Sequence, residues 1–176
     1  MNILAKMLLM LCRPVTQSDP PLEIFPRTSW PMEEQMKRSD FVLSAMFTPD
    51  NANFTPVQVQ KFFFLIDMNV AELIGGQKFH FTPYNYGPFD REVYDELEFL
   101  RFTDLIECHN KGNLRYYQLT ESGKKRAELM LPEVSPEALD YIKKASDFVR
   151  SLDFSQLVSA IYKAYPDMRA NSVFQG

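Results

Sequence analysis

The chain has 176 residues, 45% of them hydrophobic and 24% charged, with a formal net charge of -4 and a pI near 5.2. That composition predicts one soluble globular core, and the negative total means that nucleic-acid binding would need a local basic patch. Two cysteines, Cys12 and Cys108, are too few for a disulfide framework and fit a reducing cytoplasm.

The apolar runs ILAKMLLMLC near the start and FFFLI at 62 to 66 fall short of the roughly 20 residues of a membrane-spanning helix. Lys6 and the MLLMLC after it imitate a signal-peptide core, and Leu9 to Cys12 imitates a lipoprotein cleavage box. Leu11, however, stands where that box needs a small residue. Residues 14 to 31 carry five of the twelve prolines (14, 20, 21, 26 and 31) without apolar periodicity. Residues 1 to 35 are therefore expected to be a disordered or extended arm. Met32 and Met36 offer alternative starts, so the arm is also read as an over-called frame.

Residues 37 to 176 are expected to form one domain. Ser39 offers an N-cap to SDFVLSAMF, a short first helix. Thr55 caps a second, with Pro56 at its first position, expected to run on to Gly75-Gly76. Its centre, FFFLI, is apolar all round, which places the helix in the core.

Next comes TPYNYGPFD, at 82 to 90. Pro83 and Pro88 deny helix to the residues before them, and Gly87 admits a backbone angle that tyrosine resists. Asp90 then caps the helix REVYDELEFLRF, which ends near Phe102 and carries Val93, Tyr94, Leu97, Leu100 and Arg101 on one side. The stretch reads as a rigid elbow that aims a helix. LIECHN and LRYYQL around KGN predict a β-hairpin. Thr120 opens a short helix stopped by Pro132, Ser135 opens PEALDYIKKASDFVRSL, and FSQLVSAIYKAY stops at Pro166. The fold class expected is mainly α with a small β-hairpin, a winged-helix-like core with a C-terminal helical extension.

Five segments carry a resemblance: QKFFFLIDM at 60 to 68, YNYGPFDREVYDELEFL at 84 to 100, LIE at 105 to 107, YQLTESGKKRAE at 117 to 128 and YPDMRANSVF at 165 to 174. In order and spacing they resemble the Panacea domain of SocA-like antitoxins and the related YwgA-like proteins, over residues 37 to 174. The resemblance implies a mostly helical, winged-helix-like fold. It also implies a non-enzymatic protein that binds and neutralises or regulates a co-encoded partner in a toxin-antitoxin or phage-defence locus. It supplies no catalytic residues and implies no cofactor.

Charge then separates partner from DNA. The helix in the recognition position carries Glu92, Asp95, Glu96 and Glu98 against Arg91 and Arg101, which disfavours a row of phosphates. Lys111, Arg115, Lys124, Lys125 and Arg126 face only Glu121, which makes the hairpin region the alternative, nucleic-acid surface of a transcriptional regulator or defence-complex subunit.

Other candidates are weaker. Cys108 and His109 are strand neighbours pointing to opposite faces, and with His80 they fall short of a zinc site. Asp95, Glu96 and Glu98 do not share one helix face as an acid-base set, and Gly75-Gly76 lacks the rest of a phosphate loop. Five aromatics in eleven residues, Phe79, Phe81, Tyr84, Tyr86 and Phe89, divide between packing on FFFLI and presenting rigid anchors. Tyr84, Tyr86 and Phe89, with Arg91, Asp95 and Glu98 from the following helix, are the expected partner-binding residues.

Overall fold

The computed structural model describes residues 36–48 and 52–175, so the expectations for the arm at 1 to 35 lie outside it. The mainly α class holds: the described residues form six α-helices and two separate two-stranded antiparallel sheets.

Helix α1 spans Arg38–Phe47. Ser39 does not cap it. Lys37 holds the N-cap position without a side-chain cap bond, and the Ser39 hydroxyl donates to Glu96 Oε1 at 2.5 Å. A carboxylate acceptor 57 residues away outbids the local cap, because hydrogen bonds to ionised groups are the stronger ones.

Helix α2, Pro56–Asn69, starts as expected. Thr55 and Gln58 form a reciprocal capping box with Pro56 at the first position. Its three consecutive phenylalanines reach different neighbours. Phe62 stacks on Phe54 with centroids 4.8 Å apart, Phe63 meets Phe79 at 5.4 Å and Phe41 of α1 at 6.1 Å, and Phe64 meets Phe81 at 5.5 Å and Tyr165 at 4.8 Å. Surrounded in this way, Phe62 to Ile66 are buried on every side.

The helix does not continue to Gly75. Asn69 Nδ2 donates back to Leu65 O at 2.7 Å and onward to Tyr165 Oη at 2.9 Å. Such back-bonding offers the backbone an alternative to the helix. Ala71–Ile74 form a 3₁₀ turn instead, ended by Gly75 at φ 76°.

The elbow is itself a hairpin, β1 (Thr82–Tyr84) with β2 (Gly87–Phe89), where the sequence predicted none. Helix α3 follows as Arg91–Phe102 and buries Val93, Leu97 and Leu100. Arg101, expected on that face, is exposed and bonds Glu98.

The expected hairpin is β3 (Ile106–Lys111) with β4 (Leu114–Leu119), turning at Gly112, φ 62°. Phe54, between α1 and α2, adds one bridge to the outer edge of β4 through two hydrogen bonds with Tyr117, of 3.0 and 2.9 Å. Helices α4 (Glu121–Met130), α5 (Pro136–Ser151) and α6 (Phe154–Ala164) start at Thr120, Ser135 and Asp153, each of whose side chains accepts a backbone N–H. A 3₁₀ turn at Pro166–Arg169 leads into the tail.

One buried cluster runs from Phe41 to Ile161 through all six helices. No helix among the described residues is long and apolar enough to cross a membrane.

The Arg126 guanidinium donates to both Asp40 oxygens, Nε at 2.8 Å and Nη2 at 3.1 Å, and ties α4 to α1. Arg126→Ala strands the buried Asp40 carboxylate and is expected to cost about 1–2 kcal/mol, measured by urea unfolding.

Candidate functional site

A two-residue loop, Asn85-Tyr86, joins β1 to β2, so the closing pair Tyr84↔Gly87 is a hydrogen-bonded one. The next pair, Pro83↔Pro88, is then a non-hydrogen-bonded pair. Two prolines fit there because neither is asked for an N–H, and their carbonyls face outward. Both carbonyls are engaged: Pro88 O accepts from Lys61 Nζ at 2.9 Å, and Pro83 O accepts from Asn171 Nδ2 at 3.1 Å. Gly87 turns the chain at φ 95°, and a Cβ there would meet Tyr162 Cε1 at 3.3 Å.

Gln60 holds the end of the hairpin as a further strand would. Its Nε2 donates to Asp90 O at 2.8 Å and its Oε1 accepts from Asp90 N at 3.1 Å. Asp90 in turn accepts from Glu92 N and His80 N. Seven residues along α2, Asp67 accepts from Lys78 N at 3.0 Å and Phe79 N at 2.9 Å. Burial raises its carboxyl to about 6, against the pull of these two N–H groups and the Lys78 and Arg38 cations. Gln60, Lys61 and Asp67 are therefore the buried polar groups of a core helix: Gln60 and Lys61 grip the elbow, and Asp67 grips the segment that leads into it.

The five aromatics divide by position. Phe79 is buried, Phe81 is half-buried, and both pack on α2. Tyr84 and Tyr86 remain exposed, at 50% and 44%. Phe89, the third expected partner-binding aromatic, is half-buried, 5.0 Å from the Tyr84 ring and 5.8 Å from Tyr94. Tyr86 meets Phe154 of α6 edge-on at 5.1 Å.

The C-terminal tail fastens the other side. Val173 N donates to Asn85 O at 3.0 Å, and Tyr162 Oη donates to Ser172 Oγ at 2.6 Å. Phe174 packs on Phe154 and Tyr162.

A cavity of about 150 Å³ lies against the hairpin, walled by Gln60, Lys61, Tyr84, Tyr86, Gly87 and Tyr94 among others. A second, of about 290 Å³, is walled by Asp67, His80 and Phe81. Lys61 is only 3% exposed, and burial lowers its ammonium to about 7. Burial also pushes the Tyr94 phenol up to about 12, and its hydroxyl donates to Pro56 O at 3.0 Å.

Of the expected partner residues on α3, Arg91 and Asp95 are exposed and pair loosely with each other at 3.7 Å. Glu98 is half-buried and accepts from Arg101 Nη2 at 2.7 Å and Nε at 2.9 Å. Two further acids of this helix also have partners: Glu92 pairs with Arg38 at 2.6 Å, and Glu96 accepts from Ser39.

The basic surface is smaller than its sequence suggests. Arg126 is held by Asp40 and Lys124 by Glu121, which leaves Lys111, Arg115 and Lys125 in no ion pair among the described residues. Cys108 stands opposite Tyr117 and His109 opposite Tyr116, on the two faces of the hairpin, and the His109 ring stacks on Tyr116 at 5.7 Å. No three His, Cys, Asp or Glu side chains among the described residues could hold a metal ion.

Sequence reasoning gave Gln60, Lys61 and Asp67 no role. Their signal was nonetheless present: polar residues on a helix that is otherwise apolar all round must be buried, and buried polar groups require partners. No family model, curated protein or solved structure matches this chain.

Proposed function

We propose that this chain is a non-enzymatic interaction module, an antitoxin-like or adaptor protein that binds a co-encoded partner protein through the aromatic elbow. The observation that carries the proposal is the contrast at the hairpin. Tyr84 and Tyr86 are exposed, while the backbone beneath them is bonded from α2 and the tail, with Tyr162 of α6 packed against Gly87. Anchors already held in place lose little conformational entropy on binding, and tyrosine brings a large amphipathic contact area. Arg91 and Asp95, exposed just beyond the elbow and only loosely paired, supply a polar rim that could exchange partners. The resemblance to SocA-like antitoxins supports the same reading, with a cytoplasmic setting and a toxin or defence-complex subunit as partner.

Co-expression with the products of the flanking reading frames tests it. One of these products is expected to be toxic alone, tolerated together with this chain, and recovered with it on purification. Recovery of no flanking product would overturn the proposal.

A nucleic-acid role would rest on Lys111, Arg115 and Lys125. Three phosphate contacts give log K against log salt a slope of about -3. An electrophoretic shift series with about this slope, or a defined footprint at physiological salt, would favour the β3–β4 hairpin and the start of α4 as the functional surface instead.

A further inference from the structure

We propose that the cavity against the elbow hairpin receives a carboxylate of the partner protein, with Lys61 Nζ as its counter-ion and the Tyr84 and Tyr86 rings flanking its stem. This deepens the elbow reading and rests on it.

Three observations lead there. First, among the described residues Lys61 makes one hydrogen bond, to Pro88 O, and joins no ion pair, while an ammonium has three N–H donors. The other buried groups on the wall are already committed: the Gln60 amide holds both backbone groups of Asp90, and the Tyr94 hydroxyl holds Pro56 O. Lys61 is thus the buried donor with capacity left.

Second, the fold does not require a charge at this position. A neutral donor would serve Pro88 O equally well, and a buried cation without a counter-ion is costly. The missing Cβ of Gly87, which would stand 3.5 Å from Lys61 Cε and 3.6 Å from Nζ, keeps space open beside the ammonium.

Third, the cavity suits a small monoanion. About 150 Å³ holds about five waters, room for a short acidic side chain. Its lining has one cation and no carboxylate; the titratable groups around Lys61 are Tyr84 and Tyr86 on the hairpin, Tyr94 on α3 and Tyr162 on α6. No guanidinium fork is present in that lining to match a phosphate dianion.

The test uses the full chain with the Lys61 ε-methylene assigned by NMR. N-acetylglutamate N-methylamide presents a side-chain carboxylate and N-acetylalanine a terminal one; N-acetylglutamine N-methylamide and inorganic phosphate are the controls. At least one carboxylate probe is expected to shift the Lys61 ε and Gly87 amide signals saturably and to move the Lys61 titration midpoint upward. Whichever probe responds identifies the source of the carboxylate.

Lys61→Met is expected to lose the response at least tenfold while keeping its fold. If it fails to fold, the wild-type midpoint still decides. No saturable shift, an equal shift with the glutamine analogue or with phosphate, or an unmoved midpoint would overturn the assignment. The probes need no partner, so the two ideas fail separately. A partner that binds the elbow while no probe binds removes only the carboxylate, and a probe that binds while the partner ignores the elbow removes only the partner reading.

Discussion

Gly123→Ala is expected to lower the unfolding free energy by about 3 kcal/mol or more. Gly123 lies in the first turn of α4, and a Cβ there would stand 1.9 Å from Leu105 O and 2.9 Å from Leu105 C. The obstacle is backbone, which cannot rotate away as a side chain can. That backbone is itself pinned, since Thr120 N donates to Leu105 O at 3.1 Å and Thr120 Oγ1 donates to Asp104 O at 2.7 Å. Thr120 Oγ1 also accepts from Gly123 N at 3.0 Å. One threonine thus fastens the end of the α3 connection to the start of α4, and the glycine allows them to touch. Guanidinium unfolding checks this, with exposed Ser122→Ala as the control, expected within about 0.5 kcal/mol of wild type. A loss below about 1 kcal/mol for Gly123→Ala would show that the two segments can separate freely.

Lys61→Met is expected to stabilise the protein at pH 6 by about 3 kcal/mol, with the gain disappearing by about pH 10. The sign follows from proton counting. Folding lowers the Lys61 ammonium from 10.5 to about 7, so between those values the unfolded chain binds more protons and stability rises with pH. Below about 7 the buried charge costs its full amount, about 5 kcal/mol at most, from which the lost bond to Pro88 O subtracts about 1–2 kcal/mol.

Asp67 works in the opposite direction. Its carboxyl is raised from 3.8 to about 6 in the fold, so its contribution falls as pH rises through that window. Together the two groups place a stability minimum between about pH 6 and 7 in the wild type. Asp67 is common to both proteins and cancels in the difference. Urea unfolding at pH 6, 8 and 10 checks the prediction, and a difference independent of pH would contradict it.

What was legible in the sequence is what local chemistry determines. Thr55, Asp90, Thr120 and Ser135 cap helices because their partners lie two or three residues away. Phe62 to Ile66 announced a core helix because no face was left for water. The misses depend on pairing across distance. Pro83 and Pro88 each argue against a strand, but opposite one another at a non-hydrogen-bonded position they are compatible with a hairpin. Ser39 looked like a cap and serves Glu96, and Arg126 looked like a free cation and serves Asp40, 86 residues away. At the site, the density of aromatics beside prolines was legible, but which of them stay exposed, Tyr84 and Tyr86, was not. Nor was Lys61, because its meaning depends on a carbonyl 27 residues away.

The elbow has a rival for the partner surface. Phe99 and Phe102 at the far end of α3 are 54% and 89% exposed, so an apolar partner could use them instead. Affinity for the co-purifying flanking product, measured by calorimetry for Tyr84→Ala/Tyr86→Ala and for Phe99→Ala/Phe102→Ala, separates the two. The tyrosine pair is expected to weaken binding by about 100-fold or more with melting within a few degrees of wild type, and the phenylalanine pair by no more than about threefold. Binding that survives loss of both tyrosines, or fails only with the phenylalanines, would contradict the elbow as the site of recognition.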